Sequence, residues 1–186
     1  MHIACNRVPM ESSSAVTHNL TLESVKEAIY SRNSPTLTPI DIEAHASTVH
    51  RILELKRKHD VVILGHNYME PLVFGISEQN EQGDSLELSM SAVQTDSQYI
   101  IFNGVRFMAE TAKVLNPKKT VLIADKTAGC SLADDFSAQD VRNLKEKYPG
   151  VPVMIYINSY AEAKAECDVC CTSANAEQIA LKMPGD

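Results

Sequence analysis

Short β-branched runs that give way, again and again, to stretches with helical spacing are the feature of this chain that most narrows its fold. Val61-Val62-Ile63-Leu64, Tyr99-Ile100-Ile101-Phe102, Thr120-Val121-Leu122-Ile123 and Val153 to Ile157 read as strands. Ser85 to Thr95, Phe107 to Leu115 and Ser137 to Tyr148 read as the helices between them, the last two stopped by Asn116-Pro117 and Pro149-Gly150. A short helix over Ala161 to Glu166, a fifth strand at Val169-Cys170-Cys171 and a closing helix over Ala174 to Met183 complete the series. Strands alternating with helices make βαβ units, so the expected class is α/β, a three-layer α/β/α domain around a parallel sheet. Ahead of the alternation, Leu22, Val25, Ala28 and Ile29 recur at helical spacing up to Asn33-Ser34-Pro35. Thr38-Pro39, with Asp41 three residues past the cap, opens a longer helix that runs to Lys56-Arg57-Lys58. Residues 1–20 show no period and read as a loose arm.

Charge and apolar content exclude whole classes of partner. With 17 Lys+Arg against 24 Asp+Glu the net charge is −7, which argues against a nucleic-acid or anionic-membrane surface. The longest near-continuous apolar run, Val151 to Ile157, falls far short of the roughly 20 residues of a membrane span. The first residues lack the charged stretch and long apolar run of a secretory signal. Five cysteines, an odd count without such a signal, fit a reducing compartment, so the expected location is cytoplasmic.

Ligands of open α/β sheets bind at the carboxyl ends of the strands, and there the polar residues of this chain collect. The strands exit into His66-Asn67-Tyr68, Asn103-Gly104, Ala128-Gly129-Cys130-Ser131, Tyr156-Ile157-Asn158 and Thr172-Ser173-Ala174-Asn175. His66 beside Tyr68 is a plausible proton-transfer pair; each is equally readable as a packed strand-end residue. Asp84 and Ser85, with Glu87 close behind, are explained well by helix capping. Arg106 and Glu110, four apart, read as an ordinary helix-surface ion pair. Cys130 lies in a Gly-Cys-Ser turn where a helix start would favour the thiolate, the other reading being a buried cysteine. Cys167, Cys170 and Cys171 read as core packing, because adjacent strand residues point to opposite faces and no second ligand pair follows. Gly65-His66-Asn67-Tyr68 is faintly echoed by Ile157-Asn158-Ser159-Tyr160, a hint of internal repetition.

Taken together these motifs resemble quinolinate synthase, an iron–sulfur enzyme family of de novo NAD biosynthesis. The resemblance rests on Gly65 to Tyr68, Gly83-Asp84-Ser85-Leu86-Glu87-Leu88, Gly104 to Lys113, Ala128-Gly129-Cys130-Ser131-Leu132-Ala133-Asp134, Tyr156-Ile157-Asn158, Lys164-Ala165-Glu166 and Cys171-Thr172-Ser173-Ala174-Asn175. It implies condensation of iminosuccinate with dihydroxyacetone phosphate to quinolinate, with iminosuccinate supplied by L-aspartate oxidase or aspartate dehydrogenase. It implies a [4Fe–4S] cluster held by three cysteines, with Cys130 as the first and the cluster acting as a Lewis acid. His66, Ser85, Tyr156, Ile157, Asn158 and Ser173 match substrate-binding positions, and Tyr68 with His66 matches the catalytic ones.

The family fold implied is three pseudo-symmetric α/β/α domains. On that pattern residues 1–37 are an arm and helix, 38–135 the first domain, and 136–186 the start of a second. The other two cluster cysteines have no counterpart, and Cys167, Cys170 and Cys171 lie elsewhere, so this chain alone is expected to be inactive. Residues 69–82 look irregular where a smoother helix is expected. Two other readings stand beside this one: a non-catalytic module binding a small dicarboxylate, and a thiol enzyme using Cys130 with His66.

Overall fold

The computed structural model describes residues 20–33 and 37–184; the expected arm over residues 1–20 falls almost wholly outside them. Helix α1 (Leu22–Asn33) ends at the Asn33-Ser34-Pro35 stop. Helix α2 (Pro39–Lys58) starts from a reciprocal cap, in which the Thr38 side chain accepts the Asp41 N–H and the Asp41 carboxylate accepts the Thr38 N–H. Val25 and Ile29 of α1 pack against Ile42 and Val49 of α2.

Strand β1 (Val61–His66) is buried along nearly its whole length, as its unbroken apolar run demands of a central parallel strand. It is followed by a one-turn helix α3 (Pro71–Phe74), a 3-10 turn at Gln79–Glu81 and a two-residue strand β2 (Gln82–Gly83). Then come α4 (Ser85–Gln94), β3 (Tyr99–Asn103), α5 (Arg106–Leu115) and β4 (Thr120–Ile123). The strands are all parallel, in the order β2-β1-β3-β4. On one face Val62, Leu64, Ile100 and Phe102 pack against Leu88 and Ala92 of α4 and Phe107, Met108 and Ala112 of α5. On the other face α2 covers β1 and stops there. Tyr99, Ile101 and Leu122, the first and last about half exposed, line an apolar groove of about 450 Å³ beside Ile52 and Leu55. Among the described residues the third layer of the α/β/α arrangement is thus present over β1 and open over β3 and β4.

A second, two-stranded sheet follows. After α6 (Ser131–Asp134) and α7 (Ala138–Lys147), strand β5 (Met154–Tyr156) leads through α8 (Ala161–Glu166) to a parallel β6 (Val169–Cys171), and α9 (Ala176–Ala180) closes the chain. Ser137 caps α7 as its position suggests. Val141, Ile155 and Ala163 form the small core beneath, with Phe136, Val153 and Cys167 packed on it.

The segment after Tyr68 is irregular as its sequence reads, being α3, the 3-10 turn and β2, elements too short to show a period. Two readings need correction. The closing helix is α9 alone, because Thr172 to Asn175 forms a turn in which Asn175 Oδ1 accepts the Thr172 N–H at 2.7 Å. The cysteine cluster is core packing at Cys171 and Cys167, whereas Cys170 is exposed, as strand alternation requires of neighbours. No helix among the described residues is long and apolar enough to cross a membrane.

Candidate functional site

Two strand ends built by the same rule form the site. In the first sheet His66 is paired with Gly83, and the next N–H, that of Asn67, donates to the Gly83 carbonyl at 3.1 Å. In the second sheet Tyr156 is paired with Cys171, and the Ile157 N–H donates to the Cys171 carbonyl at 2.9 Å. Two residues beyond the paired position on the leading strand stand Tyr68 and Asn158. Two residues beyond it on the partner strand stand Ser85 and Ser173. Each serine follows a residue whose N–H is clipped alike, Ser85 opening α4 and Ser173 lying in a turn: the Asp84 N–H donates to Glu87 Oε2 at 2.9 Å, and the Thr172 N–H to Asn175 Oδ1 at 2.7 Å. The internal repetition is therefore real in the backbone, but it aligns His66 with Tyr156. The sequence echo, which set His66 against Asn158, is displaced by two residues. A two-residue slip keeps side chains on the same face, which is why sequence similarity alone does not reveal it.

Both half-sites open into one cleft of about 620 Å³. His66, Tyr68 and Ser85 line it from the first sheet, and Tyr156, Ile157, Asn158 and Ser173 from the second. Cys130, the residue before α6, lines it from the segment that joins the sheets. Asn67, Asn103 and Asn175, equally prominent as strand-exit residues, do not line it. Val105, Phe107 and Met108 supply an apolar wall whose role sequence reasoning missed; they read only as the start of a helix. The lining residues include no lysine or arginine and a single carboxylate, Asp84, so the cleft offers hydroxyl, amide, imidazole and thiol groups. At the mouth of β3, Gly104 is held to glycine by close approach: a Cβ there would lie 2.9 Å from the Phe102 ring and 3.4 Å from His66 Cβ.

His66 is the most constrained polar group. It is 4% exposed, and the Tyr68 backbone N–H donates to its Nδ1 at 3.2 Å. A nitrogen that accepts carries no proton, so the neutral ring is protonated at Nε2 and keeps one donor. The Tyr68 ring stands edge-on to it, centroids 4.7 Å apart, and is itself 88% exposed. Burial pushes the imidazole below its ordinary value, against an upward pull from the Asp84 charge. A base depressed in the folded state is protonated more readily in the unfolded chain. Its contribution to stability is thus complete above the unfolded value of about 6.5 and declines as the pH falls toward the folded value. The thermal midpoint is expected to fall less for His66→Gln than for the parent when pH is lowered from about 7.5 to about 5.5. Equal falls would place the acid sensitivity elsewhere.

Cys130 is half-buried, and its carbonyl accepts the N–H groups of Ala133 and Asp134 at 2.8 and 3.0 Å. It is the one thiol lining the cleft. Among the described residues no group of three or more His, Cys, Asp or Glu side chains is placed to hold a metal ion. The described residues of the cleft thus offer a single thiol and do not by themselves enclose a metal centre.

Arg106 and Glu110 are more than a helix-surface pair. Arg106 Nε meets Glu110 Oε1 at 2.7 Å, while Glu110 Oε2 accepts the Ala161 N–H of α8 at 2.7 Å. Beside them Lys164 Nζ donates to Thr111 Oγ1 at 2.9 Å, its amine depressed by burial. This seam between α5 and α8 joins the two sheets.

The family model described as "Quinolinate synthetase A protein" matches residues 50–186. Among curated proteins, quinolinate synthase 2 of Mesorhizobium japonicum is 49% identical over 159 residues, covering 86% of this chain and 49% of that protein. The quinolinate synthase of Caulobacter vibrioides is 45% identical over 159 residues, 85% of this chain and 43% of that one. That of Xylella fastidiosa is 50% identical over 147 residues, 77% of this chain and 41% of that one. The chain spans about half the length of the curated relatives it matches.

Proposed function

We propose that this chain, which belongs to the quinolinate synthetase A protein family, forms part of a cytoplasmic active site that condenses iminosuccinate with dihydroxyacetone phosphate to quinolinate in NAD biosynthesis. The iminosuccinate would come from L-aspartate oxidase or aspartate dehydrogenase. The observation that carries the reading is the duplicated register: two strand ends, built alike, place like sets of donors into one cleft. A C4 dicarboxylate has two like ends, and such a pair of half-sites suits it. His66 Nε2–H and Ser85 would hold one carboxylate, and Tyr156, Asn158 and Ser173 the other, with the Ile157 backbone shaping the second grip. Tyr68, exposed at the mouth beside His66, is assigned to proton transfer between bound substrate and solvent. The apolar wall of Val105, Phe107 and Met108 displaces water from the bound face and strengthens those hydrogen bonds.

Cys130 is assigned as one thiolate ligand of a [4Fe–4S] cluster, which when bound supplies a Lewis acid and the positive charge that the lining residues lack. One thiol does not hold such a cluster, so this chain by itself is assigned binding and proton transfer, and no turnover. Calorimetric titration with malate, a stable C4 dicarboxylate, tests the site. Saturable binding is expected, weakened about 5- to 20-fold by either Ser85→Ala or Ser173→Ala, the low end for a hydrogen bond to a charged group because both serines stay in contact with water. Absence of binding, or affinity indifferent to both substitutions, would overturn the reading.

A further inference from the structure

The segment that carries Cys130 is braced from behind by side chains that do not line the cleft. The Arg106 backbone N–H, at the start of α5, donates to the Ala128 carbonyl at 2.8 Å, tying the helix end that carries this side chain to the turn just before Gly129 and Cys130. The Arg106 guanidinium lies over the ring of Tyr160, the residue before α8, its carbon 4.5 Å from the ring centre. Tyr160 donates its hydroxyl to Asp134 Oδ1 at 2.6 Å, and the Asp134 N–H in turn donates to the Cys130 carbonyl at 3.0 Å. Glu110 closes the frame, one carboxylate oxygen on Arg106 and the other on the Ala161 N–H, immediately after Tyr160. Cys130 and Tyr160 both pack on the core of the first sheet. A lone exposed ion pair of this spacing contributes little. Here one carboxylate and one phenol each bridge to the other sheet, and both lines of contact end at the same turn.

We propose that Arg106, Glu110 and Tyr160 are positioning residues that clamp the Cys130 turn to the second sheet and so hold its thiol at a set place between the two half-sites. The proposal deepens the reading of the cleft as the active site and rests on it. The clamp acts through backbone anchors at Ala128 and Asp134, so loosening it frees the thiol without removing any group that faces a ligand.

The test is site-resolved alkylation of the folded chain with iodoacetamide, read by mass spectrometry, with exposed Cys170 as a control on the same molecule. Tyr160→Phe keeps the ring over Arg106 and removes only the hydroxyl contact. Glu110→Gln keeps an acceptor for Ala161 and removes the charge. Each is expected to raise the Cys130 rate about three- to tenfold with the Cys170 rate unchanged, because a local opening has become easier. The double variant is expected to fall short of the product of the two, since both act on one frame. Unchanged Cys130 rates, rates that rise at every cysteine together, or fully multiplicative effects would overturn the clamp. Malate titration of the parent chain separates this outcome from that of the site itself: shifted thiol rates without malate binding keep the clamp and remove the substrate reading.

Discussion

Phe102→Ala is expected to lower the free energy of unfolding by about 3–5 kcal/mol, the loss that goes with truncating a fully buried aromatic ring. The ring is fully buried on β3, the strand bonded on both sides, with Phe102 opposite Leu64 on β1 and Ile123 on β4. It packs beneath α4 and α5 and is touched from the strand exit by Gly104, whose missing side chain leaves the ring its space. Neighbours held by a parallel ladder cannot collapse into the void, so the cavity term adds to the lost transfer energy. For a domain of ordinary stability, about 5–15 kcal/mol in all, most molecules would become easy to unfold. Urea midpoints measure it, with Val114→Ala on the exposed face of α5 as the control, expected to shift stability by less than about 0.5 kcal/mol. A loss at Phe102 no larger than that control would mean that the sheet and its helices are packed differently.

The largest effect on ligand binding is expected at His66. His66→Ala should weaken malate about 10- to 100-fold, the loss of a hydrogen bond to a charged group from a buried, pre-oriented donor. Which nitrogen matters is decided by Nδ1, already engaged by the Tyr68 N–H. Glutamine sets its amide nitrogen near the place of Nε2 and asparagine near that of Nδ1. His66→Gln should therefore recover much of the affinity and His66→Asn should not. Equal recovery by the two, or undiminished affinity in His66→Ala, would show that Nε2–H is not the binding group.

Most of the first sheet could be read along the chain, because each strand is a local event: a β-branched run bounded by polar residues, with caps such as Thr38 and Ser137 marking where helices start. The cleft residues were legible for the same reason, since strand exits are where apolar runs break into His66, Cys130 or Asn158. What could not be read is whatever depends on pairing across distance. β2 is two residues long and exists only through its bonds to Gly65 and His66. The register that equates His66 with Tyr156 is set by hydrogen bonds to Gly83 and Cys171, not by any similarity of side chains. Arg106 and Glu110 fit the spacing of an everyday helix pair, and only the arrival of Tyr160 and Ala161 some 50 residues later gives them a second partner. The open face over β3 and β4 was equally hidden, because Tyr99, Ile101 and Leu122 are as apolar as residues that a helix would cover.

Each half-site is built on its own sheet, so the separation of the two serines follows from how Glu110, Thr111, Ala161 and Lys164 meet. Discrimination between a four-carbon and a five-carbon diacid would then be a gauge cut at a helix crossing, remote from every atom that touches the ligand. Resizing side chains along that crossing, rather than within the cleft, is the route by which this scaffold would be retuned to a longer or shorter substrate.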